Sequence, residues 1–165
     1  MSRTLKIARG GLYAALTVLL LYITNLLPTS KLTLLTAASA IIPYSILTTG
    51  VRNSFIVYGA SSVLSLIIGL RGAAVAYIMF FGLYGFVKYY VEAMNKIPYE
   101  ILIKLVYYNI SLFVIYNVYT GLFTSSLDAQ LPIYVLIAGA QAVFFIYDYA
   151  LTILINYMRK RFIKS

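Results

Sequence analysis

The chain has 165 residues, of which 62% are hydrophobic and only 10% are charged, and its formal net charge is +9. A soluble domain carries about 45–50% apolar and about 25% charged residues, so this composition excludes a soluble monomer and indicates an integral membrane protein. Because the chain contains no Cys and no His, disulfides, thiol chemistry, His-based catalysis and the common zinc and haem ligands are all excluded.

Six apolar segments follow one another along the chain, separated by polar residues or by Pro and Gly. A spanning helix needs about 20 mostly apolar residues, so six spans use almost the whole length. The runs are continuously apolar, whereas the strands of a β-barrel alternate. We therefore predict an all-α integral membrane protein with one domain, a compact bundle of six transmembrane helices. The predicted spans are residues 7–27, 32–49, 54–70, 73–91, 101–123 and 131–158.

The basic residues predict the orientation of these spans. The first segment follows a basic start, but its apolar run is about 20 residues long and lacks an A-x-A-like cleavage site, which favours a retained span over a signal peptide. With the N-terminus inside, only Lys31 and Arg71 of the 13 basic residues lie outside, and the other eleven are cytoplasmic. The positive-inside rule then places both termini on the cytoplasmic side of the cell membrane. The net charge reflects orientation and attraction to anionic lipid, and we expect no nucleic-acid partner.

Asp148 is the most informative single residue. It lies about ten residues before the basic tail, which at about 1.5 Å per residue places it near the middle of the hydrocarbon. A carboxylate there is costly, so we expect Asp148 to face the bundle interior and to hold a proton or pair with a base. Lys88 and Lys104 enter spans from the same side and complete a predicted intramembrane polar centre. The centre is either a structural ion pair or a functional relay, and both lysines have the alternative of extending to the headgroups.

Five polar or aromatic residues are candidates for a ligand site in the outer half of spans four to six. They are Asn117, Gln141, Tyr77, Tyr116 and Tyr134. Buried amides and phenols need hydrogen-bond partners, so these side chains predict an outward-facing pocket that binds a small molecule. Ordinary hydrogen bonds between helices are the alternative.

Small residues recur at four-residue spacing on the first segment. The pairs are Gly10 with Ala14 and Gly11 with Ala15. Such spacing permits close contact between helix backbones, either within the chain or with another subunit.

Catalytic signatures are absent from the sequence. It contains no G-x-x-x-x-G-K-[ST], H-E-x-x-H or G-x-S-x-G motif, and the four carboxylates are scattered. We expect no enzyme activity, no cofactor and no metal site. An enzyme that acts on lipid would depend on Asp148 or Glu100 as a lone acid or base, and we rank this reading last.

The start of the chain, residues 6–16 (KIARGGLYAAL), resembles the start of the substrate-binding S components of energy-coupling factor (ECF) vitamin transporters. Six short spans with both ends inside is also the layout of that family. The resemblance implies uptake of a vitamin or micronutrient, energised by separate T and ATPase subunits. It also implies that Gly11 and Ala15, or Gly10 and Ala14, contact the T subunit.

Residues 27–92 resemble the YybS-like group of bacterial membrane proteins. The resemblance lies in the Leu27-Pro28 turn, in Pro43 within the second span and in residues 81–88 (FGLYGFVK). S components commonly carry a longer outer loop between the first two helices as a lid, whereas residues 28–31 (PTSK) form a short turn here. The leading hypothesis is an S-component-like subunit. The alternative is a non-transport membrane scaffold of the MreD-like or YybS-like type in cell-envelope assembly.

Overall fold

The computed structural model describes residues 3–94, 96–123, 133–158 and 160. Over these residues the chain forms six helices, and no strand is present. A 3-10 turn, Pro28–Ser30, links the first two helices. The helices are α1 Arg3–Leu26, α2 Lys31–Thr49, α3 Val51–Ile67, α4 Arg71–Glu92, α5 Ile97–Phe123 and α6 Ile133–Met158. The all-α prediction is confirmed for the described part of the chain.

Five of these helices are long and apolar enough to cross a membrane, namely α1, α2, α4, α5 and α6. Their apolar stretches have 19 to 23 residues, and about 20 residues of helix cover the roughly 30 Å hydrocarbon core. The protein is therefore a multi-pass membrane protein by helix length and composition. The predicted third span, residues 54–70, corresponds to α3, which is shorter at 17 residues.

Two glycines set the limits of α3. Gly50 has a φ of 92° and Gly69 a φ of 83°, values that L side chains rarely adopt but that glycine adopts freely. The N–H of Gly50 donates to the carbonyl of Ile46 at 3.0 Å, which closes α2, and the N–H of Leu70 donates to the carbonyl of Ser65 at 3.0 Å, which closes α3. Helix α3 therefore begins and ends three residues earlier than the apolar pattern predicts.

Helix α4 is the centre of the bundle. Of its most apolar stretch, 61% is buried, against 17% in each of α5 and α6. Glycines allow its backbone to approach its neighbours: a Cβ atom on Gly85 would lie 2.8 Å from Cδ of Pro43, and one on Gly82 would lie 2.6 Å from the ring of Tyr58. Helices α2 and α3 therefore pack directly against the backbone of α4.

One turn of α4, Tyr77–Phe81, is π-helical. Neighbouring tyrosines donate hydrogen bonds to its carbonyls: the hydroxyl of Tyr58 to Ile78 at 2.8 Å, and the hydroxyl of Tyr107 to Met79 and Phe80 at 3.2 and 3.3 Å. A widened turn inside a membrane helix needs such donors because its carbonyls lose their regular partners in a medium without water. Some of the interior tyrosines in this chain thus stabilise an irregular helix.

Candidate functional site

Five charged side chains from three helices meet where α4 ends and α5 begins. Helix α4 contributes Lys88 and Glu92, α5 contributes Glu100 and Lys104, and α6 contributes Asp148. We call this group the charged cluster. The spacing of Lys88 and Glu92, and that of Glu100 and Lys104, is four residues, so each pair shares one helix face. The structure thus brings the three residues of the predicted polar centre together and adds two glutamates.

Lys88 is the most deeply buried member, with only 1% of its side chain exposed. Its Nζ atom lies 2.5 Å from Oδ1 of Asp148 and 2.6 Å from Oε1 of Glu92. It also donates to Oγ1 of Thr152 at 2.8 Å. An ammonium group has three N–H donors, and here three oxygens from two helices accept them.

Lys104 is 5% exposed and is surrounded in the same way. Its Nζ atom lies 2.6 Å from Oε1 of Glu100 and 3.1 Å from both Oε1 of Glu92 and Oδ2 of Asp148. Asp148 therefore pairs with both lysines through different oxygens, while Glu92 pairs with both through one oxygen. Both lysines are directed toward carboxylates of neighbouring helices.

The charges of the cluster nearly balance. Two lysines and three carboxylates give a formal charge of −1, and the hydroxyl of Tyr84 donates a further hydrogen bond to Oδ1 of Asp148 at 2.7 Å. Since a buried charge is costly unless it is paired and hydrogen-bonded, this arrangement is what makes five ionisable side chains tolerable in an apolar bundle. With every lysine donor engaged within the protein, the cluster joins α4, α5 and α6 and leaves no ammonium donor for a substrate.

Sequence reasoning missed four members of this network. Glu92 and Glu100 border the polar stretch between spans four and five, where they read as loop residues, although their four-residue spacing from a lysine was a usable signal. Tyr84 was recognisable only as one of several interior tyrosines that need a hydrogen-bond partner, and Thr152 carried no signal, because both roles depend on which helices face each other. The chain has four acidic residues in total; three are in the cluster, and the fourth, Asp128, lies outside the described residues.

A cavity of about 560 Å³ lies between α2, α5 and α6. Its lining includes four described residues of α2, four of α5 and six of α6, together with Phe80 and Phe81 from the π-helical turn of α4. Ligand sites in proteins commonly measure about 300–1,000 Å³ and are mostly apolar, so the volume suits a small ligand.

Of the predicted ligand residues, none of those that the structure describes is among the described residues of the cavity lining. Tyr77 is fully buried in the core, where its hydroxyl accepts a hydrogen bond from Oγ of Ser61 at 3.2 Å. Gln141 donates from Nε2 to Oδ1 of Asn109 at 2.9 Å, an exposed hydrogen bond between α6 and α5. These two side chains therefore belong to different surroundings, and neither is among the described residues of the cavity lining.

Asn117 and Tyr116 lie on an exposed part of α5. Asn117 donates from Nδ2 to the carbonyl of Phe113 at 2.7 Å, which is a bond within its own helix, and Tyr116 is 56% exposed. The side chain of Tyr134 lies outside the described residues. Neither Asn117 nor Tyr116 is among the described residues of the cavity lining.

The two small-residue pairs of α1 have different surroundings. Gly10 and Ala14 are buried, and a Cβ atom on Gly10 would lie 2.7 Å from Nδ2 of Asn53 on α3. Gly11 and Ala15 are exposed, and a Cβ atom on Gly11 would meet nothing within 4 Å. The first pair packs inside the chain, and the second faces outward.

Among the residues that the structure describes, no group of three or more Asp or Glu side chains is arranged to hold a metal ion. The carboxylates of the charged cluster are instead separated by lysines. Compared with known proteins, the chain matches no family model, no curated protein and no solved structure.

Proposed function

We propose that the protein is an S-component-like subunit of the cell membrane that binds a small molecule for uptake, with separate T and ATPase subunits supplying the energy. The observation that carries the proposal is the cavity of about 560 Å³ among the helices of a membrane bundle. A cavity of that size is suited to a ligand, while the saturated lysines of the charged cluster argue against acid-base chemistry there.

The proposal includes six spans with both termini cytoplasmic, α3 being the third. At about 1.5 Å per residue the 17 residues of α3 reach about 25 Å, a modest mismatch that a bilayer accommodates by thinning.

Cysteine labelling tests whether α3 spans the membrane. Because the chain has no Cys, a single introduced cysteine reports the side of the membrane on which it lies. We expect a membrane-impermeant thiol reagent to label Arg71→Cys in intact cells, and Arg52→Cys only after permeabilisation. Labelling of both from the same side would show that α3 does not span.

The exposed pair Gly11 and Ala15 supports contact with a T subunit. A partner helix can approach the backbone of α1 closely at this pair, whereas Gly10 is already covered by α3 and Ala14 is buried. Co-expression with the T and ATPase subunits of an ECF transporter, followed by affinity purification, tests the contact. We expect wild type and Gly59→Leu to co-purify, because a Cβ atom at Gly59 also meets nothing within 4 Å. Gly11→Leu should not co-purify, and an unassociated wild-type protein would overturn the coupled-uptake proposal.

The second candidate is a non-transport scaffold of the MreD-like or YybS-like type. It is favoured by the different surroundings of two predicted ligand residues: Tyr77 is buried in the core, while Gln141 bonds Asn109 in an exposed position, so these two do not orient one ligand together. Mass spectrometry of the protein purified in mild detergent discriminates the two. A stoichiometric bound metabolite other than a phospholipid of the membrane supports uptake, whereas a protein without such a metabolite that co-purifies with cell-envelope proteins supports the scaffold.

A further inference from the structure

The hydroxyl groups around the cavity are largely engaged within the protein. Tyr147 donates to Oγ of Ser39 at 3.0 Å, Tyr108 donates to the carbonyl of Ala140 at 2.7 Å, and Thr36 donates to the carbonyl of Leu32 at 2.7 Å. Each of these donors would have to give up an internal bond to serve a polar ligand. A ligand rich in hydrogen-bonding groups would therefore lose its bonds to water without replacement, which is unfavourable.

The rest of the lining is apolar. Phe80, Phe81 and Phe144 present aromatic surface, and no charged residue is among the described lining residues. The charged cluster is nearby in sequence, since Asp148 follows Tyr147, but its carboxylate is directed to the lysines and to Tyr84. The chemistry of the cavity thus selects a hydrocarbon.

The rim of the cavity opens toward the bilayer. Leu32 on α2 is 61% exposed, and Ile146 on α6 is 69% exposed. In a membrane protein such exposed apolar side chains on spanning helices contact lipid chains. Water finds few polar partners in this space, so the cavity is not stably filled by water. The groups that can reach it without crossing a polar barrier are the hydrocarbon chains of the surrounding lipids.

The volume of the cavity favours a lipid chain over a partner helix as its occupant. A helix about 10 Å wide that rises about 5.4 Å per turn fills roughly 420 Å³ per turn. A transmembrane helix of about 20 residues makes more than five turns, far more than a cavity of about 560 Å³ can enclose. A flexible hydrocarbon chain is narrow enough to enter.

We propose that the cavity between α2, α5 and α6 binds one acyl chain of a membrane phospholipid, which enters from the bilayer. The inference rests on the proposed function only in taking this cavity as the ligand site, and it names the ligand class as a lipid hydrocarbon chain. The aromatic side chains pack along the chain, and the headgroup remains at the membrane surface.

Photocrosslinking of the full-length protein in lipid nanodiscs tests the proposal. The probe is a phosphatidylcholine that carries a diazirine near the end of one acyl chain, and peptide mass spectrometry locates the products. We expect labelling to saturate at one lipid per chain and to concentrate on residues 80–81 and 143–154. Equal labelling of exposed residues outside the lining, such as Phe113 at 70% exposure, would overturn the proposal.

Substitutions that fill the cavity with a larger side chain test the site, and a substitution outside the lining serves as the matched control. Ala150 and Ala37 line the cavity on different helices, so Ala150→Phe and Ala37→Phe should each reduce the saturable labelling at least tenfold. Ala142→Phe changes an exposed alanine of α6 that is not among the described lining residues and should label like wild type. Two cavity-filling variants are used so that the test survives if one of them misfolds. Unchanged labelling of the cavity residues in either variant, if it folds, would overturn the proposed site.

Two further measurements distinguish a phospholipid from a free fatty acid as the ligand, and the lipid site from the proposed uptake function. A diazirine fatty acid that labels the cavity when the phospholipid does not would overturn the assignment to a phospholipid. Specific phospholipid labelling in a protein that never associates with T and ATPase subunits would support the lipid site and reject coupled uptake. Association with these subunits without saturable phospholipid labelling would support coupled uptake and reject the lipid site.

Discussion

Removal of single charges from the charged cluster should affect stability unequally. Lys88→Met leaves three carboxylates around Lys104 and changes the formal charge of the cluster from −1 to −2. Asp148→Asn leaves two lysines with two glutamates and brings the formal charge to zero. In the second variant Lys88 still has Glu92 at 2.6 Å and Thr152 at 2.8 Å as acceptors. We therefore expect the lysine to be the more damaging loss.

The structure allows the two costs to be compared. Breaking a buried ion pair by removing one partner costs about 3–5 kcal/mol, because the other charge stays buried without compensation. That figure is the upper limit for Lys88→Met, because Asp148 loses its partner at 2.5 Å but keeps Lys104 at 3.1 Å and the hydroxyl of Tyr84 at 2.7 Å. Asp148→Asn weakens hydrogen bonds to a charged group, which costs about 1.5–3 kcal/mol. The double variant Lys88→Met with Asp148→Asn removes both partners of the shortest ion pair, which is 2.5 Å long, and should be more stable than Lys88→Met alone.

Unfolding in mixed detergent micelles measures these free energies. Titration with a denaturing detergent gives the free energy of unfolding for wild type, both single variants and the double variant, and a double-mutant cycle gives the coupling. We expect the double variant to recover at least about 1 kcal/mol relative to Lys88→Met. Strictly additive losses, or a Lys88→Met variant no less stable than Asp148→Asn, would refute a buried and mutually compensated pair.

Two further predictions concern α4 and its neighbours, and thermal unfolding in detergent measures both. Gly85→Ala should lower stability by about 1–3 kcal/mol through overpacking, because its Cβ atom would lie 2.8 Å from Cδ of Pro43. Gly59→Ala, which has open space around it, should instead raise stability by up to about 1 kcal/mol, and equal effects would contradict the packing of α4. Tyr107→Phe should cost about 1 kcal/mol, because two carbonyls of the π-helical turn lose their side-chain donor. Tyr90→Phe alters an exposed tyrosine and should cost nothing measurable, and equal losses in both tyrosine variants would refute the stabilising role of Tyr107.

The helices themselves were predictable because a continuous apolar run is a local property of the sequence. The end of α3 was less predictable. The apolar pattern continues to Leu70, whereas the helix ends at Ile67, before the positive φ of Gly69. The π-helical turn of α4 had no local signal. The turn is stabilised by hydrogen bonds from Tyr58 on α3 and from Tyr107 on α5. These bonds form only when the three helices pack together, so the local sequence does not predict them.

The candidate site was predictable in one respect and not in another. The cost of a charge in hydrocarbon was enough to connect Asp148 with Lys88 and Lys104, because few partners exist in so apolar a chain. For Asn117 and Tyr116, depth in the membrane could be inferred from the sequence, but the direction in which each side chain faces could not. The two residues lie on an exposed part of α5, whereas the cavity is lined by other residues of that helix.

The cavity and the charged cluster share helix α6, and this links them mechanically. Consecutive residues belong to the two features: Tyr147 lines the cavity, and Asp148 pairs with both lysines. A ligand that separates α6 from α2 acts on the hydrogen bond between Tyr147 and Ser39, which is neutral and costs about 1 kcal/mol to break. The ion pairs of Asp148 are several times more costly to break. Movement of α6 around a bound hydrocarbon chain should therefore open the side facing α2 and keep the charged cluster intact as its pivot.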